Sequence, residues 1–335
     1  MLSVILLQSQ GPVPQIFNDT VTWFLLFINI FLLAGGYYYF RKLKERFEDE
    51  NKKIAERLSD RSYNVMVQKW ELERRNLTIT HQNQEILDSL HYAKNIQSAI
   101  MPRPEAILNH FSDGFVYYLP KDIVSGDFYF IESSNDRVYV AVADCTGHGV
   151  AGAFMSMVGN SLLKQIILQS KLTDPAEILR QLNEGIVEAL RQKETSSHGG
   201  MDIALCVVDK KAKTLEYAGA NRPLLLVRNR EMEQIKPDKL PIGGFMPDED
   251  RRFTRHTLQL QTGDRLYMSS DGYADQFGGM EGKKMMTKKF KDLLMNIHES
   301  PMYNQQKTLS DYFQNWKGRM DQVDDVLVVG IVISD

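Results

Sequence analysis

Four aspartates, Asp127, Asp144, Asp271 and Asp324, each stand at the end of an apolar, strand-like run. Asp144 closes the run 138–143. It is followed by Cys145-Thr146-Gly147-His148-Gly149, where two glycines bracket a histidine and let the backbone approach a ligand closely. One aspartate before a glycine is usually a turn, because both residues supply turn geometry cheaply. Several carboxylates brought to one place are different: they repel one another unless a cation neutralises them. Oxygen donors without paired His or Cys suit Mg²⁺ or Mn²⁺ rather than zinc. A pair of such ions bridged by a carboxylate can hold a water, lower its pKa and aim it at phosphorus, so the expected chemistry is hydrolysis of a phosphate monoester.

Something must carry these residues, and 335 residues suffice for one large domain plus extra segments. The formal net charge of -3 argues against a general affinity for nucleic acid, which shows as a basic surplus or stripe. Cys145 and Cys206 lie in apolar, strand-like runs without a CxxC partner, so reduced, buried thiols are expected, with neither a disulfide nor a zinc site.

Residues 20–40 form a stretch of 21 without a charge, bounded by Asp19 and Arg41, long enough as a helix to span a bilayer. Tyr37, Tyr38 and Tyr39 suit the membrane interface. Arg41, Lys42, Lys44 and Arg46 follow, whereas residues 1–40 hold no Lys or Arg. The positive-inside rule then puts residues 1–19 outside as a short extracytoplasmic segment and the bulk of the chain in the cytoplasm, anchored in a bacterial inner membrane. A buried core helix is the competing reading, and the apolar residues 1–7 leave a signal peptide as another. Asn29, Gly35 and Gly36 hint at pairing of such helices.

Residues 41–101 read as a long helical stalk, free of internal Gly and Pro and stopped by Pro102 and Pro104. Leu58, Val65, Leu72, Ile79, Ile86, Ala93 and Ile100 recur every seven residues, but the second apolar position of each heptad is mostly polar. Half a seam fits either a parallel stalk in a homodimer or a solvated linker helix. In residues 102–335 the pattern turns to strands near 115–119, 128–132, 138–143, 203–208, 215–218, 224–227, 253–260, 265–269 and 326–333. Helices are expected over 151–170, 175–192, 288–297 and 305–319, the second capped by Asp174 with Pro175 in its first turn. Two groups of strands with two of helices predict an α+β fold in which sheets pack on each other and helices cover them.

Five pieces in order carry a resemblance: Val124-Ser125-Gly126-Asp127-Phe128, Asp144-Cys145-Thr146-Gly147-His148-Gly149, Tyr217-Ala218-Gly219-Ala220-Asn221, Ser269-Ser270-Asp271-Gly272 and Asp324-Asp325-Val326. Over about residues 90–335 the chain resembles the metal-dependent protein phosphatase (PPM) family in its bacterial SpoIIE-type branch. The resemblance implies an α-β-β-α sandwich, two Mn²⁺ or Mg²⁺ ions between the sheets, and removal of phosphate from Ser or Thr of a protein, such as an anti-sigma-factor antagonist. By motif, Asp144 would bridge the ions, the Cys145 carbonyl would join one, Asp271 and Asp324 would complete the other, and Asp127 would bind directly or through water. The helix just before the domain, 85–100 here, takes part in switching in such relatives.

Other positions carry lesser expectations. Eukaryotic relatives place a general-acid His directly after Asp-Gly; His148 is four residues past Asp144, so it is read as a turn or supporting histidine. Lys121, six residues before Asp127, is the phosphate-binding candidate nearest the first motif. Asp325 is expected to support Asp324 through hydrogen bonds, Asn221 to shape a loop, and Asp202 to be a strand-start turn or a site residue. Two competing functions are a signalling scaffold without catalysis, against which all four acidic positions are retained, and a metal-dependent nucleotide hydrolase, against which no P-loop is present.

Overall fold

The computed structural model describes residues 15–134, 136–195, 198–244 and 251–334, so the expectations for residues 1–14, including the apolar 1–7, lie outside the described residues. The chain divides into two compact units, Met1–Asn83 and Gln84–Asp335. A single helix α1, Gln15–Ile100, runs through the segments expected as membrane span and stalk. In the first unit its apolar side chains lie open, Phe31 and Trp70 among them. By length and composition α1 is one of two described helices able to cross a membrane; the other has half of its apolar window buried and is a core helix. Asn29 spends its amide on the Leu25 carbonyl of its own helix, at 2.9 Å.

In the second unit a 3-10 turn, Pro104–Asn109, follows the prolines, and the chain then runs through β1 (Asp113–Leu119), β2 (Asp127–Ser134), β3 (Arg137–Cys145), α2 (Gly149–Gln169), α3 (Pro175–Ala189), β4 (Gly200–Asp209) and β5 (Thr214–Ala220). It continues with β6 (Leu224–Arg228), β7 (Glu231–Ile235), β8 (Ile242–Gly243), β9 (His256–Gln259), β10 (Arg265–Ser269), α4 (Gly272–Asp275), β11 (Phe277–Gly278) and β12 (Lys283–Lys284). Helices α5 (Met286–Ile297) and α6 (Met302–Lys317) and strand β13 (Val326–Val332) complete it.

One sheet has the order β1-β13-β10-β6-β7 and the other β2-β3-β4-β5-β9, with β8 beside β4. Alternation along each strand sorts its side chains between two faces. Val138, Val140 and Val142 of β3 meet Leu327, Val329 and Ile331 of β13 in the core between the sheets. Tyr139, Ala141 and Ala143 face the opposite way, under Leu163, Ile167 and Leu182 of α2 and α3. Phe115, Tyr117 and Val328 face out of the other sheet onto Phe290, Leu294 and Phe313 of α5 and α6. Three apolar layers between four layers of structure make the expected α-β-β-α sandwich. Helix α3 starts as read, with Asp174 accepting from the Ala176 N–H at 2.9 Å and Pro175 at its head.

The last turns of α1 belong to the second unit, which begins inside the helix at Gln84. Gln97 is buried there. Its amide nitrogen donates to the Ser125 carbonyl at 2.6 Å and to Ser156 Oγ at 2.8 Å, and its oxygen accepts the Ser125 N–H at 3.2 Å. A buried amide satisfied on both ends fixes the helix over the loop entering β2.

Candidate active site

Sheet pairing places three aspartates side by side. Asp127 of β2 lies opposite Asp144 of β3, and Asp144 lies opposite Asp202 of β4. Directly opposed residues of antiparallel strands share a face, here the face that carries Tyr129, Val142 and Ala204 into the core between the sheets. The trio therefore closes one end of that core. From the other sheet come Asp271, just past β10, and Asp324, just before β13. Their loops touch: a Cβ on Gly272 would lie 1.9 Å from the Asp325 carbonyl oxygen, so only glycine permits this approach.

Asp325 is buried and holds the neighbourhood together. Its two carboxylate oxygens accept the backbone N–H groups of Lys121 at 2.7 Å and Gly126 at 2.8 Å, and its own N–H donates to Asp324 Oδ1 at 2.8 Å. The support expected of Asp325 is thus present and reaches further than its neighbour. Gly126 itself is confined, because a Cβ there would meet the Gly147 carbonyl oxygen at 2.5 Å.

The carboxylates open on a cleft of about 250 Å³ whose lining includes Asp144, Asp202, Asp271, Asp324, His148 and Arg222, together with Cys145. Asp127 lies beneath, 2 % exposed, with Oδ2 buried and without a hydrogen-bond partner. Burial, then the Asp144 charge, push its carboxyl well above the usual range. Asp144 is pushed up to about 7, by burial first; Arg222 opposes the shift, and Asp271, Asp324 and Asp202 add to it. Burial also raises Asp324, against the hydrogen bond from the Asp325 N–H.

Arg222 was missed by sequence reasoning. Its Nη2 donates to Asp144 Oδ2 at 2.7 Å and to Asp271 Oδ2 at 2.8 Å, and stands 3.3 Å from Asp202 Oδ2. Tyr217 positions it by donating its hydroxyl to the Arg222 carbonyl at 2.6 Å. Asn221, in left-handed backbone at φ 59°, turns the chain into it and donates to Asp202 Oδ1 at 2.8 Å. Asn221 thus stands at the turn of the loop and also reaches the cluster. Lys121 is not among the cleft-lining residues; its charge opposes the rise of the Asp324 carboxyl, and its backbone serves Asp325. His148 stands at the head of α2 with Nδ1 2.9 Å from Asp122 Oδ2, both exposed on the rim. The signal for Arg222 lay next to Asn221 in the third motif.

Among the described residues no three His, Cys, Asp or Glu are grouped tightly enough to hold an ion as they stand, and a guanidinium bonds both Asp144 and Asp271. The donor set nevertheless fits a hard divalent cation: four carboxylates line the cleft around one arginine, the rim His148 is engaged with Asp122, and Asp127 carries an unpartnered buried oxygen. Cys145 and Cys206 are free and buried, as expected.

Comparison with known proteins agrees with this geometry. The family model for Stage II sporulation protein E (SpoIIE) matches residues 134–333. The chain is 24 % identical over 239 residues to phosphoserine phosphatase RsbP of Bacillus subtilis, a match covering 70 % of this chain and 55 % of that protein. It is 24 % identical over 247 residues to phosphoserine phosphatase RsbU of the same organism, covering 69 % of each. The chain thus spans only about half of RsbP. Among solved structures, the SiaA-PP2C domain of Pseudomonas aeruginosa superposes with a TM-score of 0.69 at 29 % identity, over 75 % of this chain and 98 % of that one. A structure of the PP2C phosphatase domain of SpoIIE from Bacillus subtilis, with a regulatory fragment, gives 0.53 at 19 % identity, over 66 % and 63 %, a likeness of fold. With its match extending over more than half of the chain, in a sandwich of the same PP2C type, the protein belongs to the SpoIIE family.

Proposed function

We propose that this protein is a metal-dependent serine/threonine phosphoprotein phosphatase, anchored in the bacterial inner membrane through residues 20–40 and acting in the cytoplasm on a phosphorylated regulatory protein of the anti-sigma-factor-antagonist kind. The observation that carries it is the convergence of Asp144 and Asp202 from one sheet with Asp271 and Asp324 from the other in one cleft, with Asp127 paired to Asp144 beneath it. Asp144, Asp271 and Asp324 would hold Mn²⁺ or Mg²⁺, with the Cys145 carbonyl and Asp127 beside them. Such ions supply Lewis-acid polarisation and a water nucleophile. The chain's own part is positional: the sheet pairing fixes Asp144, Asp325 fixes the two loops, and the cleft's anionic floor admits a phosphoryl group only when cations are present to meet it.

The uncharged run at 20–40, with cations only after it, supports the anchor. The open heptad row from Leu58 to Ile86 supports a homodimeric stalk. Phosphate release from a phosphoserine protein with added Mn²⁺ tests the activity. Asp144→Asn is expected to lower it by more than about a hundredfold, beyond what the outer partners of a metal ligand cost. Equal turnover in the variant would remove Asp144 from its role.

A further inference from the structure

Arg222 does not hold its carboxylates in the way arginine commonly does. A guanidinium paired with a carboxylate tends to use two nitrogens in a parallel fork. Here a single nitrogen, Nη2, serves Asp144 at 2.7 Å and Asp271 at 2.8 Å and lies 3.3 Å from Asp202, while Nε is buried with no hydrogen-bond partner. Three carboxylates from two sheets are therefore gathered around one point of positive charge, and Nε is left unmatched. That is the arrangement a small cation would adopt, made instead by a side chain. The Arg222 side chain is 13 % exposed and that of Asp144 21 %, so water screens this pair least, whereas Asp271 is the more open partner.

We propose that Arg222 is a resident counter-cation: it occupies the centre of the carboxylate cluster in the metal-free protein and must leave it for a divalent ion to enter. The inference rests on the reading of these carboxylates as metal-holding residues. The oxygens Asp144 Oδ2 and Asp271 Oδ2 cannot lie at hydrogen-bond distance from Nη2 and also coordinate an ion without bringing two cations within a few ångströms of each other, in a place where repulsion is poorly screened. Movement falls to the side chain, because the backbone is held: the Arg222 N–H donates to the Ala220 carbonyl at 2.8 Å and its own carbonyl accepts from Tyr217. Two effects follow by linkage. The metal-free fold is stabilised, because its excess of negative charge has a partner. Metal affinity is lowered, because the ion must first break two charge-assisted hydrogen bonds.

The test uses the full chain purified in detergent, with Mn²⁺ alone as the probe. Calorimetric titration is compared between the wild type, Arg222→Gln and Arg222→Lys, with unfolding temperature read in chelator and at saturating Mn²⁺. The expected result is Mn²⁺ binding about ten- to a hundredfold tighter in Arg222→Gln, the range that loss of one charge-assisted hydrogen bond implies, because the glutamine amide can keep a neutral bond in place of the other. The lysine variant keeps the charge on a different headgroup and falls between. In chelator the glutamine variant unfolds at a lower temperature than the wild type, and saturating Mn²⁺ narrows the gap. If the glutamine variant does not survive metal removal, the lysine variant carries the same comparison. Mn²⁺ binding that is unchanged or weaker in the variants overturns this inference alone. No Mn²⁺ binding in the wild type or either variant, with Asp144→Asn indistinguishable from them, overturns the metal reading and this inference with it.

Discussion

The two rims of the cleft deliver their carboxylates by different means. On one sheet, Asp127, Asp144 and Asp202 are members of adjacent strands, and backbone pairing sets their spacing. On the other, Asp271 and Asp324 stand outside the strands and are held by a few specific contacts: the Asp325 N–H on Asp324, the close passage of Gly272, and Ser270, whose N–H and Oγ both bond to Leu327. A strand-borne residue inherits the cooperativity of the whole sheet. A loop-borne residue depends on whichever contacts pin its loop, so the second rim should be the more fragile.

The largest expected effect tests that fragility. Asp325→Ala removes the acceptor of two charge-assisted hydrogen bonds and leaves two N–H groups unpaired, so a loss of about 3 kcal/mol or more is expected in urea unfolding followed by near-ultraviolet circular dichroism. Gly272→Ala comes next: its Cβ meets a carbonyl oxygen rather than a yielding side-chain end, and about 1–3 kcal/mol should be lost.

The strand rim should respond to pH rather than break. In the metal-free protein the folded-state pKa of Asp144 is raised from 3.8 to about 7, so the folded form keeps a proton that the unfolded chain releases. That stabilisation is fully present below about pH 4 and is lost as pH rises towards about 7, and Asp144→Asn should flatten this part of the pH–stability profile measured in chelator. Asp202→Asn should be milder, changing stability by less than about 1 kcal/mol, since its strand is held by pairing on both sides and the amide can still accept from Asn221. An Asp202→Asn loss as large as that of Asp325→Ala would erase the distinction between the rims. Smallest of all, Cys145 and Cys206, buried with their thiols pushed up by burial, should resist alkylation until the sheet unfolds.

The same contrast explains what the sequence disclosed. Strong apolar runs announced β3, β4, β6, β10 and β13, and the absence of Gly and Pro announced the long helix after residue 40. Strand β7 went unread because it is a mostly exposed edge, and β8, β11 and β12 are two-residue pairings made by backbone alone, with no side-chain pattern to find. The place of Asp202 was left open for a related reason: that it faces Asp144 depends on which residues come into register, and local composition does not encode that. Arg222 escaped because a cation was sought near the first motif, whereas the chain supplies it from the turn between β5 and β6. Gln97 escaped because one more glutamine in a polar helix has no signature until the loop it satisfies is folded against it.

Asp325 also constrains how the molecule can breathe. It opens β13 in one sheet, while Gly126, which it holds, leads directly into β2 of the other. The layers cannot splay at this end without surrendering the Gly126 bond, so opening motions should start at the far edges. In native-state hydrogen exchange the Lys121 and Gly126 amides, though they lie in a loop, should be protected like those of a central strand.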